Sequence, residues 1–266
     1  MRVIAAFILS CCLALPVFST ASAEDGYDLW LRYERADGGR LEAYRDRFST
    51  IAVAGDSDTA AAIRAELERG LGGILGRAVV VQGNDGGDAR LIVGRADAIK
   101  AMTGLNVAPA SKPPEAYVIR VLDNGRTVVA GNSDIAALYG TFGLLRELQQ
   151  GTAIAGLSSE SAPKTNYRLL NHWDDLDRHV ERGYAGQSLW DWQKLPDYLD
   201  PRYTDYARAN ASLGINGASL TNVNANANVL TPQYLEKAAA LADVFRPYGI
   251  KVYLTARFSA PIEIGG

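Results

Sequence analysis

Apolar residues between positions 51 and 150 recur with two different periods, and the switches between them outline alternating strands and helices. Ile51-Ala52-Val53-Ala54 is an apolar run of strand length. Asp58 stands where a helix N-cap is wanted. Ala62, Ile63, Leu67, Leu71 and Leu75 then follow at helical spacing, with Gly72, Gly73 and Gly76 as stop signals. Ala78 to Val81 and Leu91 to Val93 read as strands on either side of a turn at 83–87. Tyr117 to Leu122 and Thr127 to Ala130 flank Asp123-Asn124-Gly125, a short hairpin signal. A helix from about Ser133 sets Ile135, Leu138, Phe142, Leu145 and Leu148 on one stripe. The expected order is β-α-β-β-β-β-α, one sheet with two helices, which makes residues 24–160 an α+β amino-terminal domain.

Residues 151–166 are rich in Gly, Ser, Ala, Thr and Pro and predict a connection between domains. Beyond it the chain reads strand, long loop, helix, in units of about thirty to forty residues. The strands are Leu169 to Asn171, Gly217 to Leu220 and Lys251 to Ala256. The helices run from Thr204 to Leu213, closed by Gly214, and from Pro232 to about Phe245. This rhythm is that of a (β/α)8 TIM barrel, and residues 161–266 correspond to its first three β/α units. Three strands cannot close a barrel, so the chain is expected to be the front of a longer protein. Faces around Leu220 and Val252-Tyr253-Leu254 should then lack cover, leaving the part after residue 165 looser than residues 25–150.

The first 23 residues change the picture of the mature chain. Arg2, the apolar run Val3 to Phe18 and the small residues Ala21-Ser22-Ala23 form a signal peptide pattern with cleavage after Ala23, implying a secreted or periplasmic protein. Cys11 and Cys12 both lie inside it, so no disulfide, cysteine nucleophile or thiolate metal site is expected afterwards. The signal's apolar core is short for a membrane span. The 48% apolar and 21% charged fractions exclude disorder, collagen and coiled coil as descriptions of the whole. The formal charge of −3 becomes −4 without Arg2, a poor basis for nucleic-acid binding.

In a barrel the chemistry sits at the carboxyl ends of the strands, here the loops beginning at Asn171, Thr221 and Arg257. Residues 167–206 hold three Trp and five Tyr interleaved with carboxylates and amides, a combination that suits sugars: flat faces cover C–H surfaces while polar groups take hydroxyls. Trp173 directly follows a strand end and reads as a pocket wall. Trp190, Trp192 and Tyr198 read equally well as packing between helices and strands. His172 and His179 have no third ligand at metal spacing, so His172 reads as a hydrogen-bonding pocket member and His179 as surface. Asp174, Asp175 and Asp177 lack the glycine and terminal glutamate of a calcium loop. Arg257 could equally grip a substrate carboxylate or pair with a neighbouring Asp in the barrel mouth. Ser133, Ser188 and Ser259 lack the glycines of a nucleophile elbow, and the glycines at 70–76 lack a phosphate-loop pattern.

Several long runs carry a resemblance. Glu24-Asp25-Gly26-Tyr27-Asp28-Leu29-Trp30-Leu31-Arg32-Tyr33, the stretches Leu169 to Asp175 and Val180 to Gly186 with Ser188-Leu189-Trp190, and Ala242 to Leu254 continuing through Ala256 to Gly266 resemble the bacterial α-glucuronidases of glycoside hydrolase family 67. The resemblance implies an α+β domain, a (β/α)8 barrel and a helical carboxyl-terminal domain that forms a homodimer. It implies release of 4-O-methyl-D-glucuronic acid from the non-reducing ends of xylo-oligosaccharides (aldouronic acids), with inversion and without metal or organic cofactor. Trp173 resembles the family tryptophan that walls the pocket, and Val223 the small apolar residue near the methyl ether. Asn222, Asn224 and Arg257 fall in similar mouth loops with binding roles. The acid and base of an inverting mechanism are implied beyond Gly266, so these residues alone are expected not to hydrolyse glycosides. Two other readings stay open: a non-catalytic secreted carbohydrate-binding protein, and a different barrel glycosidase such as a hexosaminidase.

Overall fold

The computed structural model describes residues 24–265. The expected signal peptide with Cys11 and Cys12, and also Gly266, lies outside the described residues. Among the described residues, no helix is long and apolar enough to cross a membrane.

The first part is built on a six-stranded sheet of β1 (Ile51–Val53), β2 (Val81–Gln82), β3 (Leu91–Arg95), β4 (Tyr117–Val121), β5 (Thr127–Gly131) and β6 (Ser158–Ser161), in the order β2-β1-β3-β5-β4-β6. β2, β1, β3 and β5 are parallel, while β4 runs antiparallel to both β5 and β6. This corrects the expected layout in three ways. The runs at 78–81 and 91–93 do not pair with each other across the 83–87 turn; they flank β1 on its two sides. The supposed linker contributes β6. Four helices pack here instead of two: α1 (Gly38–Arg47), α2 (Asp58–Leu75), α3 (Ala96–Thr103) and α4 (Asp134–Gln149).

Parallel strands are buried on both faces, and the sequence of this sheet obeys that rule. Ile51, Val53, Leu91, Val93, Ile119 and Val129 point into one core with Ile63, Leu67 and Leu71 of α2 and Leu138, Phe142 and Leu145 of α4. Ala52, Ile92, Val118 and Val128 point the other way, into a smaller core closed by Ile99 of α3 and Val107. The cap of α2 is Ser57 rather than Asp58: the Ser57 hydroxyl accepts from the Ala60 N–H at 3.1 Å, and Asp58 sits in the first turn, where the helix dipole favours its charge. The helix does not stop at Gly72. It runs through Gly73, where an added Cβ would lie 2.6 Å from the Tyr33 carbonyl oxygen, and ends at Gly76 in the left-handed region.

The second part is a parallel three-stranded sheet, β7 (Leu169–Asn171), β8 (Gly217–Ser219) and β9 (Lys251–Tyr253), linked by α5 (Pro201–Ser212) and α6 (Pro232–Phe245), with a short α7 (Ala260–Glu263) after it. Its core gathers Trp190, Trp192, Tyr203, Ala218, Leu220, Leu241 and Phe245. Leu220 is therefore fully buried under α5 and α6, against the expected uncovered face, because alternation turns it toward the helices. Val252, Tyr253 and Leu254 are half-buried, and within the strands of this sheet the exposed apolar residues are Leu169 and Leu170 of the edge strand β7. The two parts are locked together. Arg208 of α5 reaches Glu66 of α2 through two bonds of 2.7 and 2.9 Å, the Tyr33 hydroxyl donates to the same carboxylate, and Ala211 of α5 belongs to the first core.

Candidate functional site

Parallel pairing brings the carboxyl ends of β7, β8 and β9 side by side, so the loops that follow them form one rim. The loop after β7 folds back on itself: Asp175 N donates to His179 O at 2.8 Å, and Val180 N to Gly186 O at 3.1 Å. Asp174 is buried at its base, accepting from the Ser188 hydroxyl, while its carbonyl takes the Asn222 N–H at 2.9 Å. Glu181 adopts a left-handed backbone with φ +57°, an arrangement uncommon for a side chain of its size. From there its N–H donates to the Trp173 carbonyl at 2.8 Å and its carboxylate accepts from Asn222 Nδ2 at 3.0 Å. Thr221 and Thr255 fasten the next two loops, the Thr255 N–H donating to Thr221 Oγ1 at 3.0 Å and the Thr255 hydroxyl to the Asn222 carbonyl at 2.9 Å.

The residues singled out from the sequence divide into groups. Trp173 and Val223 are 44% and 46% exposed, presenting apolar surface on the loops after β7 and β8. Asn222 is only 5% exposed and works as a brace, its side chain spent on Glu181 and on the Asn224 N–H. Asn224 is exposed and lines a groove with Asp175, Asp177, Asn226, Asn228, Tyr234 and Arg257. His172 does not join the others. Its ring packs edge-on against Trp190 with centroids 5.3 Å apart, and its Nε2 lies 2.8 Å from the Tyr206 hydroxyl, in the aromatic layer against the helices. The pocket role expected of it is thus a packing role, because its neighbour Trp173 takes the exposed position. Burial holds the His172 pKa below its ordinary value, against the opposing pull of the Asp174 charge.

Arg257 does form an internal ion pair, but with Glu263 six residues further on rather than with an Asp of the barrel mouth. Bonds from Ser259 and Arg257 keep the Glu263 carboxyl below the usual carboxylate range. Asp175 is raised, first by burial and then by the charges of Asp177, Glu181 and Asp174. Trp190 and Trp192 are core; Tyr198 is half-exposed beside Lys194. His179 is exposed and pairs with Asp177. Among the described residues no group of three His, Cys, Asp or Glu is placed to hold a metal. Sequence reasoning passed over Glu181, Thr221 and Thr255 as positioning groups. The threonines had a signal, each standing two residues past its strand end.

The rim offers amides, carboxylates and exposed aromatic surface, which is equipment for holding polyhydroxylated ligands. Comparison with known proteins defines the class as a glycosyl hydrolase. Residues 29–144 match the sequence model of the Glycosyl hydrolase family 67 N-terminus and residues 147–266 that of the Glycosyl hydrolase family 67 middle domain; the chain belongs to this family. It is 34% identical over 261 residues to alpha-glucuronidase A of Emericella nidulans, covering 92% of this chain and 30% of that protein. Over 265 residues it is 31% identical to the alpha-glucuronidase of Hypocrea jecorina, covering 94% and 30%. The chain thus spans about a third of the length of these relatives. In fold it is similar to a family GH115 4-O-methyl-alpha-glucuronidase with specificity for decorated arabinogalactans, with TM-score 0.52 and 16% identity over 76% of this chain and 28% of that one. A GH138 enzyme targeting pectin rhamnogalacturonan II gives TM-score 0.51 and 16% identity over 77% and 24%.

Proposed function

We propose that this chain is the amino-terminal part of an inverting α-glucuronidase that releases 4-O-methyl-D-glucuronic acid from the non-reducing ends of xylo-oligosaccharides. The observation that carries the proposal is family membership along both parts of the chain, supported by relatives named as alpha-glucuronidases. On this reading β7, β8 and β9 are the first three strands of a (β/α)8 barrel, and the rim is one side of its mouth. Trp173 supplies an apolar wall and Val223 a small apolar contact for the methyl ether. Glu181 and Asn222 act as positioning residues that hold the Trp173 loop to the loop after β8. Inversion needs one carboxylic acid to protonate the leaving oxygen and one carboxylate to activate water. Neither role falls to a residue of the rim. The pattern in residues 1–23 supports export from the cytoplasm, and the intact enzyme is read as a homodimer.

The test is calorimetric titration of the chain with aldotetraouronic acid, a xylotriose carrying 4-O-methylglucuronate. Saturable binding that falls at least about tenfold in Trp173→Ala is expected, a loss on the scale of one well-packed aromatic contact. Unchanged binding in that variant, or none in the parent chain, would refute the reading.

A further inference from the structure

A cavity of about 210 Å³ lies between the two parts of the molecule, at the amino ends of β7 and β8, opposite the rim. That is room for about seven waters, or for one small solute of the same size. Glu115, just before β4, and Tyr139 and Arg146 of α4 line it from the first part; Arg168, just before β7, and the turn at 212–214 that closes α5 line it from the second. The acceptors of this wall are taken. The Ser212 carbonyl accepts from Arg146, the Gly214 carbonyl from Arg168 Nε, and the Glu115 carboxylate from Arg168 and, at 3.1 Å, from Asn216 Nδ2. Donors remain. Of the five N–H groups that each guanidinium carries, Arg146 commits one and Arg168 three, the third to the Thr165 carbonyl. Tyr139 is 8% exposed, and its hydroxyl is buried without a hydrogen-bond partner among the described residues, although the charges of Glu115 and Arg168 both reach it. Buried hydroxyls nearly always find a partner, so an unpaired one in the wall of a cavity marks an occupant that the protein does not itself supply.

Charge selects the class of occupant. Glu115 pairs with Arg168, whereas Arg146 has no carboxylate partner among the described residues and lies 5.0 Å over the Trp30 ring, so the lining carries one net positive charge. Capping the negative end of α5 uses one donor from each arginine. It leaves the other donors and the Tyr139 hydroxyl unexplained. We infer that this cavity binds a small oxyanion, a carboxylate or phosphate group held by Arg146 and the Tyr139 hydroxyl, and that the bound ion fastens the first part of the molecule to the second. The inference stands apart from the proposed function.

The experiment titrates the full chain calorimetrically with inorganic phosphate, with acetate and with neutral glycerol at constant ionic strength, and follows thermal melts with each. Saturable binding of phosphate, of acetate or of both is expected, and which of them binds distinguishes a phosphate from a carboxylate ligand. A hundredfold excess over the dissociation constant should raise the melting midpoint by about 5–10 °C. Tyr139→Phe should weaken binding at least about tenfold, as a hydrogen bond to a charged group is worth. The melt of that variant without anion should not fall, since the hydroxyl it lacks had no partner. Glu115→Gln should tighten binding severalfold by removing the one opposing charge, and Arg146→Gln should abolish it. If Arg146→Gln does not fold, Tyr139→Phe and Glu115→Gln decide. No saturable binding of either anion, binding or a melting shift that Tyr139→Phe leaves unchanged, weaker binding in Glu115→Gln, or glycerol bound as tightly as the anions would each overturn the inference.

Discussion

Replacing Arg208 by methionine tests what joins the two parts of the molecule. Arg208 is 6% exposed and Glu66 is 2% exposed; the pair links α5 to α2 through two hydrogen bonds, and Tyr33 adds a third to the same carboxylate. Methionine keeps most of the volume but leaves Glu66 buried without its main counter-charge. Breaking a buried pair from one side costs about 3–5 kcal/mol, because the remaining ion has lost water and partner alike. Tyr33 still donates, and Arg69 stands 3.6 Å away with half its side chain in water, so the lower figure, about 3 kcal/mol, is expected. Replacing all three groups, as Arg208→Met, Glu66→Leu and Tyr33→Phe together, removes the stranded charge and the stranded hydroxyl and should recover most of that loss. Urea unfolding of the parent, the single and the triple variant measures both steps. A single-variant loss below about 1 kcal/mol, the worth of an exposed ion pair, would refute the assignment of this contact as a buried lock.

Other outcomes follow from individual environments. Gly72→Ala should stabilise by about 0.5–1 kcal/mol, since its Cβ meets nothing closer than 3.7 Å inside α2; Gly73→Ala should destabilise by about 1–3 kcal/mol through its clash with the Tyr33 backbone, both read from thermal unfolding. His172 has a folded pKa below that of the unfolded chain, so its contribution to stability is present above about pH 6.5 and lost as pH falls through the lower folded value; His172→Gln should flatten that acid limb of a stability profile. Tyr33 is raised by burial and by Glu66, and Tyr139 by burial to about 12, so stability should decline once pH rises above about 10, where these hydroxyls ionise only in the unfolded chain. Tyr33→Phe should make that decline shallower. Asp175→Asn should stabilise at pH 7 and have little effect at pH 3, because the raised carboxyl carries its unfavourable charge only at the higher pH.

Elements with one strong periodic signal were legible. The helix expected from about Ser133 begins with the Ser133 hydroxyl accepting from Ala136 N, and the Asp123-Asn124-Gly125 hairpin joins β4 to β5. The parts that were not legible lacked such a signal. α1 opens on Gly38-Gly39, which lowers its helix propensity, and α3 spans only eight residues. β6 is Ser-Ser-Glu-Ser, a polar edge strand recognisable only through its pairing with β4. Which strand neighbours which is a long-range matter, and nothing local to the 83–87 turn shows that β2 and β3 flank β1. At the rim, the position of Trp173 just past β7 was readable from the sequence, and the structure shows its ring exposed there. His172 lies in the helix layer, and its hydrogen-bond partner, Tyr206, stands 34 residues further along. The fate of Arg257 depended on Glu263, a choice that spacing left open.

Hydrogen exchange of the backbone with and without aldotetraouronic acid tests the central claim most directly. Slowed exchange at residues 172–186 and 221–228, with residues 51–131 unchanged, is the result this account predicts. Protection confined to the six-stranded sheet, or the same exchange everywhere in the presence of saturating ligand, would contradict it.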